Sequence, residues 1–222
     1  AELFEIAFRD SIPAALQKGD ALENLTWTPE VWIHDSWFGS NRARGILLST
    51  PKKSVIERNI FESSGSAILI AGDANEWFES GAVSDVLISY NEFKDACMTS
   101  PYQFSEGIIS IYPEVPKLNY QTPFHRNIRI EHNDFRPYDF PVLYAKSVDK
   151  LDFTDNRIIR SHTYVPFHPR KHMITLEACS NVSIAGNQLV GDVLGKDVDL
   201  ISMPAAQVKI QKGLKAQVSG FK

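Results

Sequence analysis

The chain has 222 residues, of which 43% are hydrophobic and 23% charged, and its net charge is −4. This is the composition of a globular protein with room for one large core or two small ones, and it argues against a disordered chain or a small disulfide scaffold. The 23 basic and 27 acidic residues exclude the strongly basic surface of a nucleic-acid-binding protein. No apolar run approaches the roughly 20 residues that a membrane-spanning helix needs.

The first 25 residues do not share the pattern of the rest. Leu3–Phe8 alternates apolar and polar residues as a strand does, and Pro13–Asp20 has the composition of a loop that ends in a Gly-Asp turn. We therefore predict that residues 1–25 are a strand and a loop that enter from a small adjoining β segment.

From residue 26 onward, one phrase recurs six times. It has alternating apolar residues, two or three polar residues, a small polar residue, any residue and a large apolar one. The small polar residues are Ser36, Asn59, Asn91, Asn133, Asn156 and Asn187. They are separated by 23, 32, 42, 23 and 31 residues, so a unit of about 23 is lengthened by insertions. Each copy precedes a second short apolar run, such as Ile68–Ile70 or Ile174–Leu176.

Short strands that repeat at this period predict an all-β fold, a parallel β-helix of about six coils over residues 26–204, with a C-terminal strand and cap at 205–222. Asn suits the turn because it tolerates left-handed backbone angles and its amide can pair with those of neighbouring coils. A leucine-rich horseshoe lacks its helical half-repeat here. A β-sandwich is the weaker alternative.

The insertions flank the second strand of the coils. Residues 95–107 and 160–173 precede that strand, and residues 71–82 and 112–124 follow it. Loops on both sides of one sheet face build the walls of a cleft, which is where solenoids usually carry function.

The densest polar cluster follows the second strand of the second coil. It contains Asp73, Asn75, Glu76, Trp77 and Glu79. Carboxylates and amides bind sugar hydroxyls, and an indole stacks on a sugar ring, so this composition is typical of a carbohydrate site. The alternative is a solvated acidic loop with a buried Trp.

Neighbouring coils add candidate residues beside the same strand, namely Arg44, Glu106, Lys146 and Glu177. Coils stack roughly 4.8 Å apart, so carboxylates two coils apart lie near ~9.6 Å. Inverting glycosidases need about 6.5 to 9.5 Å between acid and base, and retaining ones about 5 to 5.5 Å. The architecture can supply either spacing.

Other chemistries have little support. The six histidines show no metal-ligand spacing, and there is no phosphate-binding loop, dinucleotide fingerprint or nucleophile elbow. We therefore predict no metal site and no cofactor. Cys97 and Cys179 are expected to be core residues rather than nucleophiles.

Four stretches carry a resemblance to a known family. They are residues 23–29 (ENLTWTP), 41–47 (NRARGIL), 67–81 (AILIAGDANEWFESG) and 141–147 (PVLYAKS). On these residues the chain resembles the bacterial α-1,3-galactosidases of glycoside hydrolase family 110. The resemblance implies a right-handed parallel β-helix with small β-barrel domains. It also implies an inverting exo-glycosidase that removes terminal α-1,3-linked galactose from blood-group-B-type or linear glycans.

The resemblance also implies roles for the candidate residues. Asp73 and Glu79, inside the longest matching stretch, are expected to be catalytic. Substrate binding is expected from the remaining candidates, Arg44, Asn75, Glu76, Trp77, Glu106, Lys146 and Glu177. The family has an adjacent Asp-Asp pair in an earlier coil, and this sequence contains no such dipeptide. The chain is therefore expected to be the C-terminal part of a longer β-helix, whose remainder is its partner, in a bacterial protein that is secreted, periplasmic or at the cell surface.

Two alternatives stay open. One is a polysaccharide lyase on the same solenoid, with Arg44 or Lys146 as base and acidic residues holding calcium. The other is a non-catalytic β-helix, such as an adhesin or phage tailspike, that binds glycans.

Overall fold

The computed structural model describes residues 4–16, 18, 20, 22–73, 75, 77, 80–95 and 106–220. Its strands form three parallel sheets, and apart from the last strand each sheet takes every third strand of the chain. Sheet A consists of β1 (Val31–His34), β4 (Ser54–Glu57), β7 (Ser84–Ser89), β10 (His125–Glu131), β13 (Val148–Thr154), β16 (Ser180–Ala185) and β19 (Val208–Ile210).

The other two sheets follow the same order. Sheet B consists of β2 (Trp37–Gly39), β5 (Ile60–Glu62), β8 (Glu92–Lys94), β11 (Asp134–Arg136), β14 (Arg157–Ile159) and β17 (Gln188–Val190). Sheet C consists of β3 (Arg44–Leu48), β6 (Ser66–Asp73), β9 (Ile109–Glu114), β12 (Leu143–Lys146), β15 (Ile174–Glu177), β18 (Val198–Ile201) and β20 (Ala216–Ser219). A 3-10 turn spans Ala205–Gln207. This all-parallel topology fits a β-helix.

The interior is an apolar column built from alternate strand positions. Aromatic rings of sheet B stack from coil to coil, with ring centroids 5.0 Å apart for Phe61 and Phe93 and 4.6 Å apart for Phe93 and Phe135. Ile88 and Ile130, paired in register on sheet A, are fully buried. Each coil therefore buries its inward face against its neighbours, as the repeat predicts.

Buried asparagines form a ladder at the turn between sheets A and B. The amide oxygen of Asn133 accepts hydrogen bonds from the backbone N–H and the side-chain amide of Asn91, at 2.9 and 3.0 Å. Asn133 donates in turn to Asn156, and the same pattern continues to Asn187 and Gln211. The predicted pairing of amides between coils is confirmed.

The prediction that asparagine adopts the left-handed backbone conformation at this turn is wrong. The residue that adopts a positive φ is the one before each ladder position, and the asparagines themselves do not. These left-handed residues are Asp35, Arg58, Tyr90, His132, Asp155 and Gly186. Asparagine is selected for its hydrogen bonds, because its amide closes the turn of one coil onto the next.

The two ends of the chain differ from the predicted pattern. Phe4–Phe8 has no strand assignment, and Phe4 is 80% exposed. At the other end, residues 205–222 supply two strands, β19 and β20, where the sequence predicted one.

Candidate functional site

The outer face of sheet C carries a row of polar and aromatic side chains. Lys146 and Glu177 are partners in register on β12 and β15. Because side chains alternate along a strand, Ala145 and Leu176 next to them point into the core, where both are fully buried. The residues on the outer face are thus brought together by the period of the strand.

Hydrogen bonds and ion pairs join these side chains into one group. The Tyr144 hydroxyl donates to Oε2 of Glu177 at 2.8 Å, and Lys146 Nζ lies 3.1 Å from Oε1 of the same carboxylate. Arg170 stacks its guanidinium on the Tyr144 ring, 4.4 Å from the centroid, and its Nε donates to Glu106. Two residues of β9 complete the group: Tyr112, whose ring centroid lies 6.1 Å from that of Tyr144, and Glu114, two positions further on the same face. We call the group the sheet C cluster, consisting of Glu106, Tyr112, Glu114, Tyr144, Lys146, Arg170 and Glu177.

The cluster surrounds an open pocket of about 250 Å³. Its lining comprises Glu106, Tyr112, Pro113, Glu114, Tyr144 and Lys146. Carboxylates supply hydrogen-bond acceptors, and the Lys146 ammonium and the Tyr112 phenol supply donors. The pocket can therefore bind a ligand rich in hydroxyl groups from several sides.

The environment keeps both tyrosines of the cluster protonated. Burial raises the pKa of Tyr144 far above its ordinary value, and the neighbouring charge of Glu177 raises it further. Burial also raises the pKa of Tyr112, with a further rise from Glu114 that Arg44 partly opposes. Each phenol is consequently a hydrogen-bond donor at neutral pH.

Two insertions carry residues to this face. Glu106 lies just before β9, at the end of the insertion that begins at residue 95. Arg170 belongs to the insertion at residues 160–173, between β14 and β15. Their ion pair ties the third coil to the fifth and holds Glu106 in the lining of the pocket.

Asp73, predicted to be catalytic, lies at the end of β6 opposite Glu114 on β9. Its side chain is 4% exposed. One carboxylate oxygen accepts a hydrogen bond from the backbone N–H of Asn75 at 2.8 Å, and the other from that of Trp77 at 3.0 Å. These contacts show that Asp73 holds the loop that follows β6, and its catalytic role stays a prediction.

The same loop presents its aromatic side chain to solvent. Trp77 is 77% exposed, so the alternative of a buried Trp is wrong, and Asn75 is exposed as well. Glu23 supports the end of the loop by accepting hydrogen bonds from the Ser80 hydroxyl at 2.9 Å and the Gly81 N–H at 3.2 Å. Glu76 and Glu79 lie outside the described residues, as does Cys97, so the predictions for them stay open.

The remaining predicted residues divide into two groups. Glu106, Lys146 and Glu177 meet in the sheet C cluster. Arg44 begins β3, two strands away from β9 in the same sheet, and its link to the cluster is the effect of its charge on Tyr112.

The sequence interpretation missed four members of the cluster, Tyr112, Glu114, Tyr144 and Arg170. Tyr144 precedes Lys146 by two positions, and Tyr112 precedes Glu114 by two. Residues two apart on a strand share a face, so the three strand residues could have been found from alternation. Arg170 lies in an irregular insertion, where no period points to it.

Other chemistry is not apparent in the described part of the chain. Among those residues, no three His, Cys, Asp or Glu side chains lie together in a way that could hold a metal ion. Cys179 is buried, and burial raises the pKa of its thiol to about 12. Nor do the described residues include a helix long and apolar enough to cross a membrane.

Comparison with known proteins identifies bacterial relatives of the chain. No family model matches the chain. Alpha-1,3-galactosidase B of Bacteroides thetaiotaomicron is 54% identical over 209 residues, which is 94% of this chain and 34% of that protein. The Alpha-1,3-galactosidase B of Phocaeicola vulgatus is 45% identical over 193 residues, covering 83% of this chain and 32% of that protein.

This chain is a homologue of the bacterial α-1,3-galactosidases. The relationship extends to Alpha-1,3-galactosidase A of Bacteroides fragilis, 39% identical over 93% of this chain and 34% of that protein. The resemblance predicted from the sequence is confirmed. The chain spans about a third of the length of these relatives.

Proposed function

We propose that this chain forms one wall of the galactose pocket in an enzyme that hydrolyses terminal α-1,3-linked galactose. The observation that carries the proposal is the sheet C cluster in a chain homologous to α-1,3-galactosidases. The enzyme would be a glycoside hydrolase in carbohydrate metabolism, with glycans of the blood-group-B type or linear α-1,3-galactosides as substrates.

The chemistry of the cluster suits a single sugar ring. Its pocket of about 250 Å³ is smaller than the roughly 300–1,000 Å³ of sites for drug-sized ligands. Tyr112 donates a hydrogen bond to a ring hydroxyl, while Glu106 and Glu114 accept them. The Tyr144 oxygen, whose proton is held by Glu177, can accept one more. Trp77 offers an exposed ring on which the next sugar can stack.

We assign the charged residues of the cluster to substrate binding. Both oxygens of Glu177 are already engaged, by Tyr144 and Lys146, so its carboxylate is held in one orientation before the sugar arrives. Such preorganisation lowers the cost of binding. The catalytic roles proposed for Asp73 and Glu79 are separate from this assignment.

For the reaction itself we propose inversion. One carboxylic acid protonates the glycosidic oxygen while a second carboxylate activates water on the opposite face of the sugar. A parallel sheet can supply the separation that inversion needs, because carboxylates level with each other and two strands apart lie about 9.6 Å from one another. We propose that the reaction requires no cofactor and that it removes only the terminal galactose.

We propose a right-handed β-helix of about six coils over residues 26–204, joined through residues 1–25 to an adjoining β segment. The rest of the β-helix would be supplied by the longer protein. We propose that this protein is bacterial and is secreted, periplasmic or at the cell surface.

The test uses a longer protein that contains this chain, incubated with an α-1,3-linked galactose disaccharide. Release of galactose, first detected by NMR as the β-anomer, would support an inverting galactosidase. First appearance of the α-anomer would contradict inversion. An unsaturated product absorbing in the ultraviolet would indicate a lyase, and binding without release would indicate a glycan-binding module.

A further inference from the structure

A second pocket lies on the other side of the two insertions, beside sheet B. Its volume is about 380 Å³, and four of its lining residues are cationic, namely Lys94, Arg136, Arg157 and Arg160. Asp95 is the one carboxylate in that lining. The chain as a whole carries a net charge of −4, so a lining with four cations to one carboxylate differs from the average composition of the chain.

Carboxylates outside the pocket lining hold Arg136 and Arg157 in place. Nη2 of Arg136 lies 3.1 Å from Glu92 and 3.5 Å from Asp134. Nη1 of Arg157 lies 3.0 Å from Asp134. Glu92 and Asp134 are not part of the pocket lining, so these carboxylates orient the guanidiniums without occupying the pocket.

These contacts leave donors for a ligand. Within the part of the chain that the structure describes, Arg136, Arg157 and Arg160 each form their ion pairs through one terminal nitrogen. A guanidinium has five N–H donors. The side chains of Arg136 and Arg157 remain 47% and 42% exposed, so their other donors are accessible to a ligand.

Hydrogen bonds and an ion pair also hold the insertion that contributes Arg160, Ser161 and Thr163 to the pocket lining. The Thr163 hydroxyl donates to Asp95 at 2.8 Å, which ties the insertion at 160–173 to the end of β8 and its following turn. Arg160 begins this insertion, and its pairing with Asp192 at 3.3 Å fixes it as the third guanidinium. The concavity is therefore bounded by three coils and the insertion.

We propose that this basic pocket is a binding site for a tetrahedral oxyanion, as found in a sulfate or phosphate group. Guanidinium groups bind such groups through paired, charge-assisted hydrogen bonds. Lys94 adds an ammonium group to the lining, which ion pairs with Glu92 at 3.5 Å and Glu62 at 3.7 Å hold in place. The site is separate from the sheet C cluster and does not depend on the galactosidase proposal.

Binding is measured by calorimetry with the whole chain at low, constant ionic strength. The probes are sodium sulfate, galactose 6-sulfate and unmodified galactose. We expect saturable binding at millimolar concentrations or below for at least one sulfate probe. Binding of the sulfated sugar identifies an esterified group as the ligand, and binding of sodium sulfate alone identifies the free anion.

Variants locate the site. Arg136→Gln and Arg157→Gln should each weaken sulfate binding about tenfold or more, since a hydrogen bond to a charged group contributes about 1.5–3 kcal/mol. Arg129→Gln is the matched control, because Arg129 is exposed on sheet A. Lys94→Gln, which disturbs only long contacts, tests the pocket if an arginine variant does not fold. Absence of binding by both sulfate probes, or equal weakening in Arg129→Gln, would overturn the proposal.

Discussion

The hydroxyl of Tyr144 donates a 2.8 Å hydrogen bond to the carboxylate of Glu177 across neighbouring strands of sheet C. The two residues are 33 positions apart in sequence and meet because one coil of the solenoid separates them. Lys146 completes the contact from the same strand as Tyr144. The cluster is thus a direct product of the repeat, and its parts can be tested one at a time.

Replacing Tyr144 by Phe should impair galactoside hydrolysis without unfolding the protein. The change removes the donor to Glu177 but keeps the ring on which Arg170 stacks. We expect kcat/KM to fall about tenfold, the effect of one hydrogen bond to a charged group. Tyr90→Phe is the control, because Tyr90 is 60% exposed and lies away from sheet C. Equal effects of the two substitutions would contradict the role of Tyr144.

Replacing Asn133 by Ala should destabilise the fold. The side chain accepts two hydrogen bonds from Asn91 and donates to Asn156 and to two backbone carbonyls. Because buried partners lose their hydrogen bonds, we expect a loss of about 3 kcal/mol or more in the free energy of unfolding. Chemical denaturation checks this, with exposed Gln188→Ala expected to change stability by less than about 0.5 kcal/mol. A small effect at Asn133 would mean that the ladder is not stabilising.

His125 should make the protein less stable in acid. The imidazole is fully buried, and its Nδ1 accepts a hydrogen bond from the Val83 N–H. Burial lowers its pKa from 6.5 to about 4. The unfolded chain therefore binds a proton below about pH 6.5 that the folded chain rejects, and stability falls as the pH falls toward 4.

The size of this effect follows from the two pKa values. Between pH 7.5 and 4.5, His125 should account for a loss on the order of 2–3 kcal/mol in the free energy of unfolding. Comparing the wild type with His125→Gln at both pH values isolates this part, and His132→Gln on the surface serves as control. An unchanged pH dependence in His125→Gln would contradict the account.

Cys179 should resist alkylation while the protein is folded. Its thiol is buried, donates a 3.3 Å hydrogen bond to the Ala145 carbonyl, and has its pKa raised to about 12 by burial. Iodoacetamide reacts with the thiolate, so the peptide containing Cys179 should remain unmodified near pH 8 until denaturant is added. Rapid labelling of that peptide in the native protein would show that the site opens.

The sequence predicts the regular part of this molecule well. The repeated phrase that contains Asn59, Asn91 or Asn133 predicts the strands and the ladder, because each coil buries the same kinds of side chain at the same positions. It does not predict that Arg170 would reach Glu106, since insertions take their conformation from contacts between coils. Nor does composition predict that Asp73 would bind its own loop, because short polar clusters permit several hydrogen-bond patterns.

The most direct measurement is the hydrolysis of an α-1,3-galactoside by the longer protein carrying Glu177→Gln. Loss of this charge removes the ion pair with Lys146 and leaves only a neutral amide oxygen to accept the Tyr144 hydrogen bond. We expect kcat/KM to fall about 100-fold, with thermal stability close to that of the wild type. Glu131→Gln on sheet A, the matched control, should retain full activity. Activity of Glu177→Gln equal to that of the control would contradict the proposal that the sheet C cluster binds the sugar.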